Sequence, residues 1–229
     1  MEDTLYYSTN NSGAFVYSIE RKSTILLVVD MQNEFVLDNT GDAVKFKEEG
    51  TFEQWRPFYE RINQVVVPNN KKLLDLFRKK EMLVSYARIA SFRKDGRDRS
   101  PVQRRPGWNN ILLPRMSYGA QIIDALSPEK EDIVVEKSTD SVVNGTAYVQ
   151  LLNNLQIKTV IVTGVVTDQC VATSVRDLAD RGFNVIVAED ACAGATMDVH
   201  EAELKIMNHI YCDVMRTKDV KQLIENLSE

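Results

Sequence analysis

Apolar runs and segments of helical period alternate along this chain. STILLVVDM (23–31), EMLVSYARI (81–89), EDIVVEK (131–137), KTVIVTGVV (158–166) and FNVIVAED (183–190) read as strands without regular polar alternation, and a short CDVMR (212–216) follows them. Amphipathic helical patterns fill 56–80, 145–157, 168–182, 197–210 and 218–227. The first is interrupted near Pro68, because proline removes a donor and clashes with the preceding turn. Gly182 stops the third. Strands with no polar face must be covered on both sides, so the pattern predicts a parallel sheet. Right-handed crossovers then give an α/β fold of three layers, α/β/α, around six strands.

No Pro/Gly/Ser-rich linker, low-complexity block or repeat divides the chain, so 1–229 reads as a single domain. Residues 1–22 fit the pattern poorly and read as an N-terminal arm. The polar stretch 38–55, a long connection before the first helix, and the basic stretch 90–115 read as lid or interface insertions. The net charge of −5 argues against general nucleic-acid binding. No apolar run approaches the ~20 residues that span a bilayer, and MEDTLYYSTNNSG has no signal-peptide pattern. Three cysteines, Cys170, Cys192 and Cys212, are an odd number in a chain that is not small. They predict a reducing, cytoplasmic setting rather than a disulfide framework. Two histidines, His200 and His209, are too few for a His-rich metal site.

In sheets of this kind chemistry gathers at the carboxyl ends of the strands. Strand one ends in Asp30, strand three in Lys137, and strand four in GVVTDQC, with Cys170 entering the next helix. Each has a plain alternative: Asp30 as a helix N-cap, Lys137 as a solvated rim charge, Cys170 as a small packed hydrophobe. Together they form a nucleophile, a base and a cation. Amide dipoles and a neighbouring cation lower the pKa of a thiol at a helix N-terminus. Aspartate would take its proton and return it to a leaving amine.

The segments LLVVDMQNEF, VVEKSTDSVVNGT and VIVTGVVTDQCVATSVRDLADRGFNVIVAEDACAG resemble the isochorismatase-like cysteine hydrolases, over roughly 23–216. That family includes nicotinamidases, isochorismatase and an amidohydrolase branch acting on ureidoacrylate, biuret and N-carbamoylsarcosine. The resemblance implies sheet order 3-2-1-4-5-6 and a triad of Asp30, Lys137 and Cys170. It also implies a non-proline cis peptide before Val166, whose N–H joins that of Cys170 in an oxyanion hole. A homodimer or homotetramer is implied as well.

Nicotinamidases of the family hold a metal through histidines after strand two; SYARIASFRKDGRDRSPVQRRPGW has none. No metal and no cofactor are therefore expected. Cys170 favours amide chemistry over vinyl ether cleavage. The expected partner is a small amide, ureido or carbamoyl substrate, with a binding protein on the same fold as the non-enzyme alternative. Arg88 is the candidate for a substrate carboxylate, since its planar fork suits one. Trp108 and Phe35 are candidate walls. Asn144 and Gln32 are candidate hydrogen-bonding residues, and His200 reads as packing within its helix.

Overall fold

The structure, a computed structural model, describes residues 19–227. Residues 1–18, most of the expected N-terminal arm, lie outside the described residues. Six parallel strands form one sheet in the order β3-β2-β1-β4-β5-β6. They are β1 (Thr24–Val29), β2 (Leu83–Ile89), β3 (Ile133–Lys137), β4 (Thr159–Val165), β5 (Asn184–Ala193) and β6 (Asp213–Met215). The expected order is the observed one.

Successive strand residues point to opposite faces, and both faces are covered. Leu26, Val28, Val84, Tyr86 and Ile161 pack with Phe58, Ile62, Leu73 and Phe77 in one layer. Ile25, Leu27, Val29, Val160 and Val162 pack with Tyr148, Leu152, Val175 and Leu178 in the other. All six residues of β1 are buried. Full burial of each Ile, Leu or Val contributes roughly 1.5–3 kcal/mol, which fixes β1 at the centre of the sheet.

The helices are α1 (Asn33–Val36), α2 (Gly41–Glu48), α3 (Phe52–Arg61), α4 (Val67–Lys79), α5 (Tyr148–Asn154), α6 (Ala172–Asp180), α7 (Met197–Met207) and α8 (Thr217–Glu225). Two differ from the sequence reading. The polar connection 38–55 contains α2 and the start of α3. The helix expected over 56–80 begins at Phe52 and divides at a π turn, Ile62–Val66. Val67 N–H bonds Ile62 O five residues back, and Pro68, with no N–H to give, follows in the first turn of α4.

β5 runs on through residues 191–193, past its expected end at Asp190. Its acidic residues are used by neighbours: Asp190 O accepts from Asn69 Nδ2 at 2.9 Å, and its carboxylate accepts from Thr217 N–H at 2.7 Å. The longer β5 pairs Cys192 with Gly164 and Ala193 with Val165. Gly164, at φ +109, has Val29 O 2.0 Å from where a Cβ would sit. Only glycine lets β4 lie this close to the end of β1.

Candidate active site

The register brings the strand ends together. Val29 pairs with Ala87 and Gly164, and Ile89 pairs with Lys137. Lys137 therefore sits two strands from β1 but two residues further along, and its side chain reaches back across β2. Asp30 leaves β1 at φ +49, a left-handed conformation in which aspartate is several-fold enriched among non-glycine residues. The Val165–Val166 peptide is cis, at the expected position. A π turn, Thr167–Val171, follows and leads into α6. Its ladder starts with Val171 N–H to Val166 O at 3.3 Å. Cys170 thus stands one residue before the ladder, at the open amide end of the helix.

Lys137 Nζ lies 2.8 Å from Asp30 Oδ2, 3.2 Å from Thr139 O and 3.3 Å from Cys170 Sγ. Its three protons thus have three acceptors. Lys137 and Asp30 are both buried, and a buried ion pair persists only with its hydrogen bonds satisfied. Asp30 Oδ1 is left for the thiol. Cys170 hydrogen bonding acts on this carboxylate, and Oδ1 itself is buried without a hydrogen-bond partner.

Burial raises the Asp30 pKa, opposed by the charge of Lys137. Burial works to lower the Lys137 pKa, but the charges of Asp30 and Cys170 outweigh it and the net direction is up. Burial and then Asp30 push the Cys170 thiol well above its ordinary 9.0. This corrects the expectation of a depressed thiol. The cation that would stabilise a thiolate is already paired with a carboxylate. The upward shift favours a neutral thiol beside the Asp30–Lys137 pair.

A cavity opens over these groups. Phe35, Ile89, Trp108, Ile111, Val165 and Val166 supply its apolar walls, and Asp140, Gln169, Asp30 and Cys170 its polar ones. About 30 Å³ admits water, room for one or two molecules. Larger grooves exist, such as one of about 650 Å³ beside Arg21, Glu81 and Leu227, away from Asp30 and Cys170. Trp108 Nε1 donates to Gln169 Oε1 at 3.1 Å across the mouth. Its ring stacks on Trp55 with centroids 5.0 Å apart, and Trp55 stacks on Phe46 at 4.6 Å. The segments 38–55 and 90–115 therefore meet beside this chain's own Cys170.

Trp108 and Phe35 line the cavity. Three other candidates are not in the cavity. Arg88 alternates with Ile89, so the side chains take opposite directions. Ile89 lines the cavity, whereas Arg88 pairs with Glu136 and donates to Gln121 Oε1. Gln32 is fully buried; its amide bonds both Ile89 O and Ile89 N–H and also Ala120 O. It ties the ends of β1 and β2 together. Asn144 is exposed and contributes its carbonyl to Thr139 Oγ1, bracing the loop after Lys137.

The sequence reading missed Asp140 and Gln169, which lie within the quoted motifs around Lys137 and Cys170. It also missed a buried relay behind the π turn. Arg61 Nη2 bonds His200 Nε2 at 3.0 Å, and His200 Nδ1 bonds Thr167 Oγ1 at 2.7 Å. Among the described residues, no group of three or more His, Cys, Asp or Glu side chains could hold a metal ion, and no helix is long and apolar enough to cross a membrane.

The isochorismatase domain model matches residues 24–219. N-carbamoylsarcosine amidase of Arthrobacter sp. is 29% identical over 170 residues, covering 72% of this chain and 64% of that one. Ureidoacrylate amidohydrolase of Methylorubrum extorquens is 28% identical, over 76% and 71% of the two chains. An Arabidopsis thaliana protein named a probable inactive nicotinamidase is 28% identical, over 82% and 90%. A crystal structure of a cysteine hydrolase from Pseudomonas syringae pv. phaseolicola superposes with a TM-score of 0.76 at 27% identity, over 91% and 95%. With the family model spanning all six strands and the Asp30, Lys137 and Cys170 strand ends, this chain belongs to the isochorismatase family.

Proposed function

We propose that this protein is a cysteine amidohydrolase that cleaves a C–N bond of a small amide, ureido or carbamoyl compound. The observation that carries the reading is Lys137 Nζ, 2.8 Å from Asp30 Oδ2 and 3.3 Å from Cys170 Sγ, at the base of a cavity lined by Asp30 and Cys170. Likeness to two named amidohydrolases supports it.

The electrostatics dictate the first step. A thiolate beside ionised Asp30 would put a net negative charge in a buried site, so the thiol proton moves to Asp30 Oδ1 as Sγ attacks the carbonyl carbon. Lys137 keeps its proton and faces one anion before and after the transfer. The carbonyl oxygen becomes an oxyanion and takes hydrogen bonds from the N–H groups of Val166 and Cys170. Collapse breaks the C–N bond, and the proton on Asp30 leaves with the amine or ammonia. Water then gives a proton to Asp30 and adds to the thioester, and the acid departs as the thiol re-forms.

Wild type, Cys170→Ala and Asp30→Asn, assayed for ammonia release against a panel of amides and ureido compounds, test this. Release by wild type alone, with an acyl adduct on Cys170 seen by intact-mass spectrometry, is the expected result. Equal release by Cys170→Ala defeats the mechanism. Isochorismate cleavage by both proteins would place the chain with the vinyl ether hydrolases. The likeness to the Arabidopsis protein favours a non-catalytic reading, and folded wild type with no turnover and no adduct would support it.

A further inference from the structure

Beyond the backbone N–H groups assigned to the oxyanion, no cationic side chain lines the cavity to receive a substrate anion. Its lining contains no Lys, Arg or His side chain, and two of its polar residues, Asp140 and Asp30, are acids. Lys137 behind them has its three protons on Asp30, Thr139 and Cys170. Three arginines of the neighbouring segments are committed elsewhere. Arg88 and Arg115 both pair with Glu136, and Arg99 is folded onto the carbonyls of Gly96, Gln103 and Ile111. Asp140 itself has no hydrogen bond or ion pair to any described residue, and its charge reaches both Asp30 and Cys170, raising both. Asp30 is paired with Lys137, so Asp140 is the one acid of the lining with no cation beside it.

We propose, resting on the amidohydrolase reading, that the site selects compact amides bearing an ammonium or other N–H donor group and rejects amides bearing a carboxylate, with Asp140 as the specificity-determining residue. An ammonium at Asp140 forms a charge-assisted hydrogen bond and supplies the missing cation. A substrate carboxylate would add a second like charge where there is water space for one or two molecules. N-carbamoylsarcosine and ureidoacrylate, the substrates in the names of two relatives, both carry carboxylates, so the proposal separates this chain from them.

Three amides of matched length test it: 3-aminopropionamide, butyramide and succinamate, cationic, neutral and anionic near neutral pH. Ammonia release gives kcat/KM, and protection of Cys170 from iodoacetamide gives occupancy without turnover. Wild type should prefer the aminoamide over succinamate by at least about tenfold, since like-charge juxtaposition costs several kcal/mol. Asp140→Asn should collapse that ratio, mainly by raising KM for the aminoamide. Protection in the same order without ammonia release sinks the hydrolase reading and leaves the charge selection standing. Protection by succinamate as good as by the aminoamide, protection by neither, or an unchanged ratio in Asp140→Asn overturns the selection itself.

Discussion

Arg61 donates to Nε2 of His200 across 3.0 Å, and this bond fixes the imidazole as a neutral tautomer. A guanidinium can only donate. Nε2 must therefore accept, and Nδ1 carries the proton that it gives to Thr167 Oγ1 at 2.7 Å. Arg61 also holds the carbonyls of Cys192 and Glu189. The first residue of the nucleophile's π turn is thereby anchored to β5 and α3.

The His200 pKa falls from 6.5 to about 4, first through burial and then through the Arg61 charge. Unfolded chains bind this proton below about 6.5 and the folded protein only below about 4, so its contribution to stability is complete above 6.5 and is lost as pH falls toward 4. The loss should be on the order of 3 kcal/mol. Urea unfolding of wild type at pH 7, 5.5 and 4, beside His200→Asn, checks this. The variant should be less stable at pH 7 and show a flatter dependence between 6.5 and 4. Parallel curves would separate His200 from the acid response.

Lys137→Met should destabilise by roughly 3–5 kcal/mol, because it leaves buried Asp30 without its counter-charge. Lys137→Met combined with Asp30→Asn should recover a good part of that stability and no activity. Chemical denaturation of wild type and the two variants decides it. A double variant no more stable than the single one would mean that the pair is not the source of the effect.

Asp30→Asn should raise the thiolate fraction of Cys170 while lowering turnover. Asp30 helps hold the thiol pKa up; without its charge, Lys137 acts on sulfur alone. Asparagine also tolerates the left-handed backbone at φ +49. Thiolate absorbance against pH, followed in wild type and variant, gives the direction. Rising thiolate with falling kcat identifies proton transfer, rather than thiolate supply, as what Asp30 provides.

Trp108→Phe keeps a ring to stack on Trp55 and removes the bond to Gln169. Stability should change by less than about 0.5 kcal/mol, since Trp108 is 40% exposed. KM should change more than Tm, because the lost bond closes the mouth over Cys170. Steady-state kinetics beside a thermal melt separates the two, and equal effects on both would make Trp108 a packing residue alone.

The sheet was legible because TILLVV, TVIVTGV and their counterparts have no side to show to water. Asp30, Lys137 and Cys170 were legible as candidates because such strands deliver residues at their carboxyl ends, whereas their meeting was implied only by the family resemblance. What failed involved side-chain direction and partners. Arg88 looked like an anion receptor by position, yet its neighbour Ile89, plainly core, already implied that Arg88 points the other way. Gln32 was placed near Asp30 correctly, but backbone groups at Ile89 and Ala120 claim its whole amide. Helix α2 was hidden because Ala43 and Phe46 are its only buried residues, too few to write a period. Asp140 and Gln169 lie within the recognised motifs, and only the folded loops show that they line the cavity.

Gly164 makes the sheet itself a measuring device. The end of β1 carries the acid and the end of β4 carries the turn that bears sulfur, and their separation is set by a backbone approach that leaves no space for a methyl group. Widening the gap between β1 and β4 would move sulfur and acid apart together with the strands. Alanine at 164 should therefore weaken proton transfer without touching any of the three reacting side chains, so catalytic rate becomes a ruler for strand spacing at the centre of the molecule.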